Sequence, residues 1–198
     1  MPTDPKLPRT EALAQALELA QKAVNLDPSS SQSHSGLAFV YYRLQQPEKA
    51  LSEAEQAIAL GPNDASAYDC MGAALFAFER FNDAITMFQK SLRLSPVPIS
   101  STGLLMSGAA YRFMGQNEEA IATFKRLMHL YPDNLFGRAY LAATYASADR
   151  DFEARAEAAE VLRIDPNFSV EVFIKRFTVR NKTLLDQMVA DLRKAGLK

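Results

Sequence analysis

Five prolines recur along the chain at a nearly constant spacing. The intervals are 34, 34, 36 and 34 residues between Pro28, Pro62, Pro96, Pro132 and Pro166, and each proline closes a similar phrase such as "AIALGP" or "VLRIDP". A period of this length is typical of stacked helical repeats, in which each unit buries its apolar face against the next. The spacing therefore predicts an array of two-helix units. A helical bundle is the alternative, but a bundle requires neither the proline period nor repeated small residues.

Small residues recur at fixed places when each proline is counted as position 32 of a 34-residue unit. On this count the complete units begin at Ser31, Ala65, Ser101 and Leu135. Position 8 then holds Ala38, Gly72, Gly108 and Ala142, and position 20 holds Ala50, Ala84, Ala120 and Ala154. Positions 4, 7, 8 and 11 fall on one stripe of a first helix, and positions 20, 24 and 27 on one stripe of a second. We therefore expect position 8 to meet position 20 where the two helices cross.

The pattern resembles the tetratricopeptide repeat. That signature has a bulky residue, Leu, a small residue and Tyr in the first helix, then Ala, an aromatic or small residue, and Pro in or after the second. The second unit is similar to it at Tyr68, Gly72, Ala84, Phe88 and Pro96. The resemblance implies an all-α fold, namely a right-handed superhelix of helix pairs (an α-α solenoid).

The proline period also sets the expected boundaries. Four full repeats are predicted at residues 31–64, 65–100, 101–134 and 135–168, after a half repeat at residues 10–30. Residues 169–198 depart from the signature and are predicted to form a divergent capping helix pair that ends in an amphipathic helix. We expect residues 1–9 to be disordered or extended and residues 10–198 to be a single domain.

Polar residues and one proline mark the expected helix starts. Side chains that can cap the first helices are those of Ser31, Asn63 or Asp64, and Ser100 or Ser101. The second helices are predicted to be capped by Asn82 and Asn117, and Pro47 suits a first helical position.

Several longer stretches carry a narrower resemblance. They include the lengthened "SPVPIS" turn, "RAYLAATYA" and "EARAEAAEVLRIDPNFSVE", and together they span nearly the whole chain. They are similar to the helical region that lies C-terminal to the catalytic domain in many bacterial class III nucleotide cyclases, and to that of some winged-helix regulators. This resemblance implies a regulatory role and brings no active site, since the chain has no room for a cyclase catalytic domain.

The first helices of a tetratricopeptide superhelix line its concave face, which is the expected binding groove. The positions exposed there supply the candidate site, which is Ser35, Phe39, Tyr42, Arg43, Asp69, Phe76, Leu105, Arg112, Phe113 and Phe136. The set is aromatic and carries few charges, so it favours an apolar peptide or helix as the guest. Chaperone-binding relatives hold a C-terminal carboxylate with lysines, arginines and asparagines. The corresponding places here hold residues unsuited to that role, namely Ser35, Phe39, Cys70, Thr102 and Met106.

Composition narrows the function further. The formal net charge is -1, so we expect neither nucleic acid nor membrane as a partner. The single cysteine, Cys70, and the two histidines, His34 and His129, are interpreted as packing residues rather than as a nucleophile or metal ligands. A basic cluster at residues 175–182 is interpreted as solubilising. No catalytic residue, cofactor or metal is predicted, and the N-terminus lacks the apolar core of a signal peptide, which favours the cytoplasm.

Two functional hypotheses follow. The first is a non-catalytic module that binds a partner peptide, helix or neighbouring domain through the groove. The alternative is a structural module that forms homodimers through the half-repeat helix, because its Leu13, Leu17 and Val24 lack the helix that normally precedes them.

Overall fold

The fold is known from a computed structural model, which describes residues 9–95, 101–176, 179 and 181–198. Within these residues the chain forms helices and no strand, so the all-α prediction is confirmed. The helices are α1 (Arg9–Leu26), α2 (Ser31–Arg43), α3 (Pro47–Leu60), α4 (Ala65–Ala77), α5 (Phe81–Leu94), α6 (Thr102–Phe113), α7 (Asn117–Leu130), α8 (Leu135–Ser147), α9 (Asp151–Ile164), α10 (Val170–Ile174) and α11 (Lys182–Lys194). Outside the described residues lie residues 1–8, Pro96 with the lengthened turn, and Arg180 of the predicted basic cluster.

The chain divides into two compact units, Met1–Pro98 and Ile99–Lys198. In the first unit α1 packs on α2, and the pairs α2–α3 and α4–α5 stack through α3 and α4. In the second unit the pairs α6–α7 and α8–α9 stack through α7 and α8, and α11 packs on α8. Each unit therefore repeats the helix-pair arrangement that the period predicts. The single domain over residues 10–198 stays a prediction.

Each first helix ends in the same left-handed turn. The residue at position 15 of each repeat has positive φ, at 57° for Gln45, 60° for Glu79, 76° for Gly115 and 55° for Asp149. In the first repeat the amide of Gln45 donates to the carbonyl of Tyr42 at 2.9 Å, and the amide of Gln46 donates to that of Tyr41 at 3.0 Å. These two bonds form a Schellman motif, which satisfies the last carbonyls of the helix and turns the chain toward the second helix.

The periodic prolines Pro28, Pro62, Pro132 and Pro166 lie in the turns that join one repeat to the next. In the turn that contains Pro62, the amide of Asp64 donates to the carbonyl of Gly61 at 3.0 Å. The proline is the second residue of this β-turn, where its fixed φ is already suitable. The Asp64 side chain then accepts the amide of Ser66 at 2.9 Å and caps α4, as predicted.

The other predicted helix starts have mixed outcomes. Ser30 caps α2 in place of the predicted Ser31, and Ser101 precedes α6 without a capping hydrogen bond from its side chain. The predicted caps Asn82 and Asn117 are wrong, because α5 begins one residue before Asn82 and α7 begins at Asn117 itself. Pro47 is the first residue of α3, as predicted.

The helices of a pair cross closely at position 8. A Cβ atom added to Gly72 would lie 2.5 Å from the ring of Phe88, and one added to Gly108 would lie 2.5 Å from the ring of Phe124. The phenylalanine at position 24 is therefore a close neighbour of position 8 in these two repeats, a contact that was not predicted. The predicted contact of position 8 with the alanine at position 20 stays a prediction. In the first repeat both places hold alanine, and Ala38 and Ala54 pack with Cys70 in one buried cluster.

Candidate functional site

Three of the predicted groove residues lie open on α2 in the first unit. Phe39 is 41% exposed, Arg43 is exposed and Tyr42 is half-buried. The guanidinium carbon of Arg43 lies 5.8 Å from the centre of the Phe39 ring, within cation–π distance. We call Phe39, Tyr42 and Arg43 the α2 face. It combines an accessible aromatic ring with a positive charge.

The other three predicted residues of the first unit serve its internal packing. Ser35 is buried, and its hydroxyl donates to a carboxylate oxygen of Asp64 at 3.2 Å. Phe76 is buried with its ring edge-to-face on Phe81, at 5.3 Å between centres. Asp69 is half-buried, and its pKa is raised because burial outweighs the opposite effect of a hydrogen bond from Ser91. These contacts hold α2, α4 and α5 together and leave the α2 face as the accessible part of the set.

The candidate histidine His34 belongs to a recurring structural contact. One ring nitrogen lies 3.1 Å from the carbonyl oxygen of Pro28 and the other lies 2.7 Å from a carboxylate oxygen of Glu53. The same place in the second repeat is held by Tyr68, whose hydroxyl donates to the carbonyl of Pro62 at 2.9 Å. In these two repeats, position 4 thus ties the first helix to the proline turn before it.

The predicted groove residue Arg112 is buried in the second unit. Its guanidinium donates to Asp191 of α11, and the amide of Gln187 donates to the same carboxylate at 2.9 Å. Burial lowers the pKa of Arg112 and raises that of Asp191, and in each residue the charge of the partner opposes the shift. Within the described part of the chain, the buried Nε atom of Arg112 has no hydrogen-bond partner.

The remaining predicted residues of the second unit are also largely covered. Phe113 is buried, and Leu105 is half-buried. The ring of Phe136 lies 5.3 Å from that of Phe173, and Arg176 lies over its face at 5.4 Å. The residues that follow the last repeat therefore cover part of the face that the sequence predicts to be open.

The last helix, α11, also contributes to this cover. Met188 and Leu192 of α11 are fully buried. At its C-terminal end, the ammonium of Lys194 donates to the carbonyl of Ala146 at 2.8 Å and to the carboxylate of Asp149 at 2.6 Å. Sequence analysis predicted an amphipathic final helix but had no signal for its docking site, because α11 lies outside the repeat period.

Comparison with protein families identifies the repeats. Residues 10–74 match one family model described as Tetratricopeptide repeat, and residues 103–134 match another of the same description. The chain contains tetratricopeptide repeats. No curated protein sequence matches it.

Solved tetratricopeptide structures share the fold. A thermophilic TPR protein from Thermus thermophilus aligns with a TM-score of 0.68 and 22% identity over 91% of each chain. PilF from Pseudomonas aeruginosa aligns with a TM-score of 0.70 and 19% identity, over 94% of this chain and 81% of its own. YrrB, a TPR protein with an unusual peptide-binding site, aligns with a TM-score of 0.64 and 23% identity over 91% and 92%. These matches support the tetratricopeptide fold and do not support the narrower resemblance to cyclase-associated or winged-helix regulators.

The described residues show neither a membrane-spanning helix nor a metal site. No helix among them is both long enough and apolar enough to cross a membrane. In the same residues no group of histidine, cysteine and acidic side chains is arranged to hold a metal ion. Burial raises the pKa of the Cys70 thiol to about 12, so the reactive thiolate is strongly disfavoured there.

Proposed function

We propose that this tetratricopeptide protein is a non-catalytic interaction module and that its first unit binds a partner peptide or helix on the α2 face. The observation that carries the proposal is the exposure of Phe39 beside Arg43 on a first helix. The same places in the third repeat hold Ala109 and Phe113, and both are buried. Of these matched positions, the ones on α2 are therefore accessible to a partner.

The chemistry of the α2 face indicates the kind of guest. Exposed aromatic and arginine side chains are the usual anchors of protein interfaces, because they gain large contact areas when water is excluded. A single helix face fits an extended peptide or one amphipathic helix better than a broad surface. YrrB, which shares this fold, has an unusual peptide-binding site, and this supports a peptide as the ligand here.

A binding selection tests the α2 face directly. Peptides selected on the full chain from a displayed library should bind the F39A/R43A variant at least about tenfold more weakly, since each 1.4 kcal/mol lost is a factor of ten. The matched control is F152A, which removes a ring that is 85% exposed on α9. Equal binding to F39A/R43A and the wild type, or an equal loss with F152A, would contradict the proposal.

Self-association is the second candidate function, favoured by α1. Leu19 and Leu26 are 64% and 77% exposed, one heptad apart. The leucines predicted for this role, Leu13 and Leu17, are half-buried, so the more exposed pair is the better candidate for a dimer contact. Light scattering across a range of concentrations separates the two functions, because a strict monomer excludes dimerisation and leaves peptide binding intact.

We also propose a regulatory role, a protein partner and a cytoplasmic location for this chain. Regulation of a nucleotide cyclase rests on the sequence resemblance alone. The small net charge supports a protein partner in preference to nucleic acid or an anionic membrane, and the single cysteine, Cys70, supports a reducing compartment such as the cytoplasm.

A further inference from the structure

The second unit holds a helix of its own chain on its first helices. α11 packs on α8, and its Asp191 reaches across to Arg112 on α6. The side chains of this ion pair are only 5% and 3% exposed, respectively. This ion pair, together with the contacts of Lys194 to Ala146 and Asp149, fixes both the position and the direction of α11 on this surface. The surface on which α11 lies includes Arg112 of α6 and Ala146 of α8, and we call it the α6/α8 face.

The buried residues of α11 show which pattern this face accepts. Met188, Asp191, Leu192 and Ala195 are all buried, and they follow the spacing i, i+3, i+4 and i+7. This spacing places them on one side of a helix. Arg193, one residue beyond Leu192, is exposed. From Met188 to the C-cap Ala195, the buried side of α11 thus presents an apolar residue, a carboxylate, a second apolar residue and a small residue.

The fit between α11 and this face is incomplete. Asp191 pairs with a terminal nitrogen of Arg112, whereas the buried Nε of Arg112 has no hydrogen-bond partner among the residues that the structure describes. An arginine presents a planar fork that can hold two acceptor oxygens in parallel. A ligand that supplied the second acceptor would complement the α6/α8 face better than α11 does.

We propose that the α6/α8 face is a helix-docking site whose resident occupant is α11, and that its partner is an amphipathic helix with a carboxylate in the same pattern. The partner binds by replacing α11, and its acid pairs with Arg112. The argument is independent of the proposed function, because the α2 face lies in the other unit. Failure at one face therefore leaves the other unaffected.

The probe is a labelled peptide of residues 181–198, added to the full-length protein. In D191R the resident helix presents a cation to Arg112, so α11 is released and the peptide should bind at least about tenfold more tightly than to the wild type. The charge-reversed variant R112D/D191R restores an opposite pair within the chain and should bind the native peptide no better than the wild type. A peptide carrying the D191R change should instead prefer R112D.

Hydrogen exchange on the wild type gives a readout that needs no variant. An excess of the peptide should speed exchange at the amides of α11 several-fold and leave those of α4 in the first unit unchanged. Three results would overturn the proposal. The first is an exchange rate of the α11 amides that is the same with and without peptide. The second is equal binding of the native peptide to the wild type and to D191R. The third is a stable dimer that exchanges α11 between copies, because the occupant would then be a second copy of this chain.

Discussion

At the scale of single residues, positions 8 and 24 of each repeat share one volume. Gly72 and Gly108 each lie against a phenylalanine ring, with no room for a Cβ atom. Where position 8 holds alanine, as at Ala38, position 24 holds alanine as well. The two repeats at the centre of the sequence thus use a glycine–phenylalanine pair, and the outer two use an alanine pair. Close packing of the core explains why the two residues change together.

A double-mutant cycle tests this shared volume. G72A should destabilise the fold by about 1–3 kcal/mol through overpacking, and F88A should destabilise it by about 3–5 kcal/mol through the cavity it leaves. The double variant G72A/F88A reproduces the alanine pair of the first repeat, so its loss should be smaller than the sum of the two, as measured by urea denaturation. G36A is the control, because Gly36 faces open space and alanine there should stabilise α2 by about 0.5–1 kcal/mol. Strict additivity would show that the two positions do not share a volume.

At the scale of helices, the Arg112–Asp191 pair controls the docking of α11. Burial disfavours both charges, which is why the pKa of Asp191 is raised and that of Arg112 is lowered. A buried ion pair of this kind contributes little net stability, but loss of one partner leaves an uncompensated charge. The pair therefore specifies where α11 lies more than it strengthens the contact.

Replacement of the pair by apolar residues should separate these two effects. R112M should destabilise the second unit by about 3–5 kcal/mol near neutral pH, because it leaves Asp191 buried without its partner, whereas R112M/D191L should recover most or all of that loss. Without Arg112 the folded-state pKa of Asp191 rises further above its unfolded value, so the folded state binds more protons and stability falls as the pH rises through that window. Urea denaturation between acid and neutral pH measures both effects. R112M/D191N should lose this pH dependence, and a dependence that persists would assign it to another group.

At the scale of the whole molecule, the two compact units carry separate cores. The buried Cys70 lies in the first unit, and burial raises the pKa of its thiol to about 12. Its sulfur also donates to the carbonyl of Ser35 at 3.3 Å. A thiol in this state reacts with alkylating reagents only when the surrounding structure opens. Cys70 is therefore a reporter of opening in the first unit.

The reporter can show whether the units open independently. G72A, which crowds the core of the first unit, should speed the alkylation of Cys70 by about tenfold or more, since 1.4 kcal/mol of lost stability is a factor of ten. G108A makes the same change in the second unit and should leave the rate nearly unchanged. Mass spectrometry after timed exposure to iodoacetamide measures the rates. Equal acceleration by both variants would show that the two units open together.

The features that the sequence could predict are the local and periodic ones. The proline spacing predicted the helix pairs closely, because each turn is determined by a few neighbouring residues such as Pro62 and Asp64. It named position 20 as the neighbour of position 8 and missed position 24, since both lie on the same stripe of the second helix. It also placed Arg112 in an open groove, because its burial depends on α11, whose docking no period describes. It placed Phe39 on an open face, where the side chain is 41% exposed, but position 9 of the other repeats holds a buried alanine, so the repeat pattern alone does not explain the exposure.

The shared volume at positions 8 and 24 limits how such a chain can be recombined. A second helix that carries Phe88 would clash with the first helix of the outer repeats, and a second helix that carries Ala54 would leave a void beneath Gly72. Single helices therefore cannot be exchanged between these repeats without a clash or a void, whereas a complete helix pair keeps its own positions 8 and 24 matched. Any duplication, deletion or designed chimera that keeps the fold should have its junctions in the proline turns and not in the turn between the two helices of a pair.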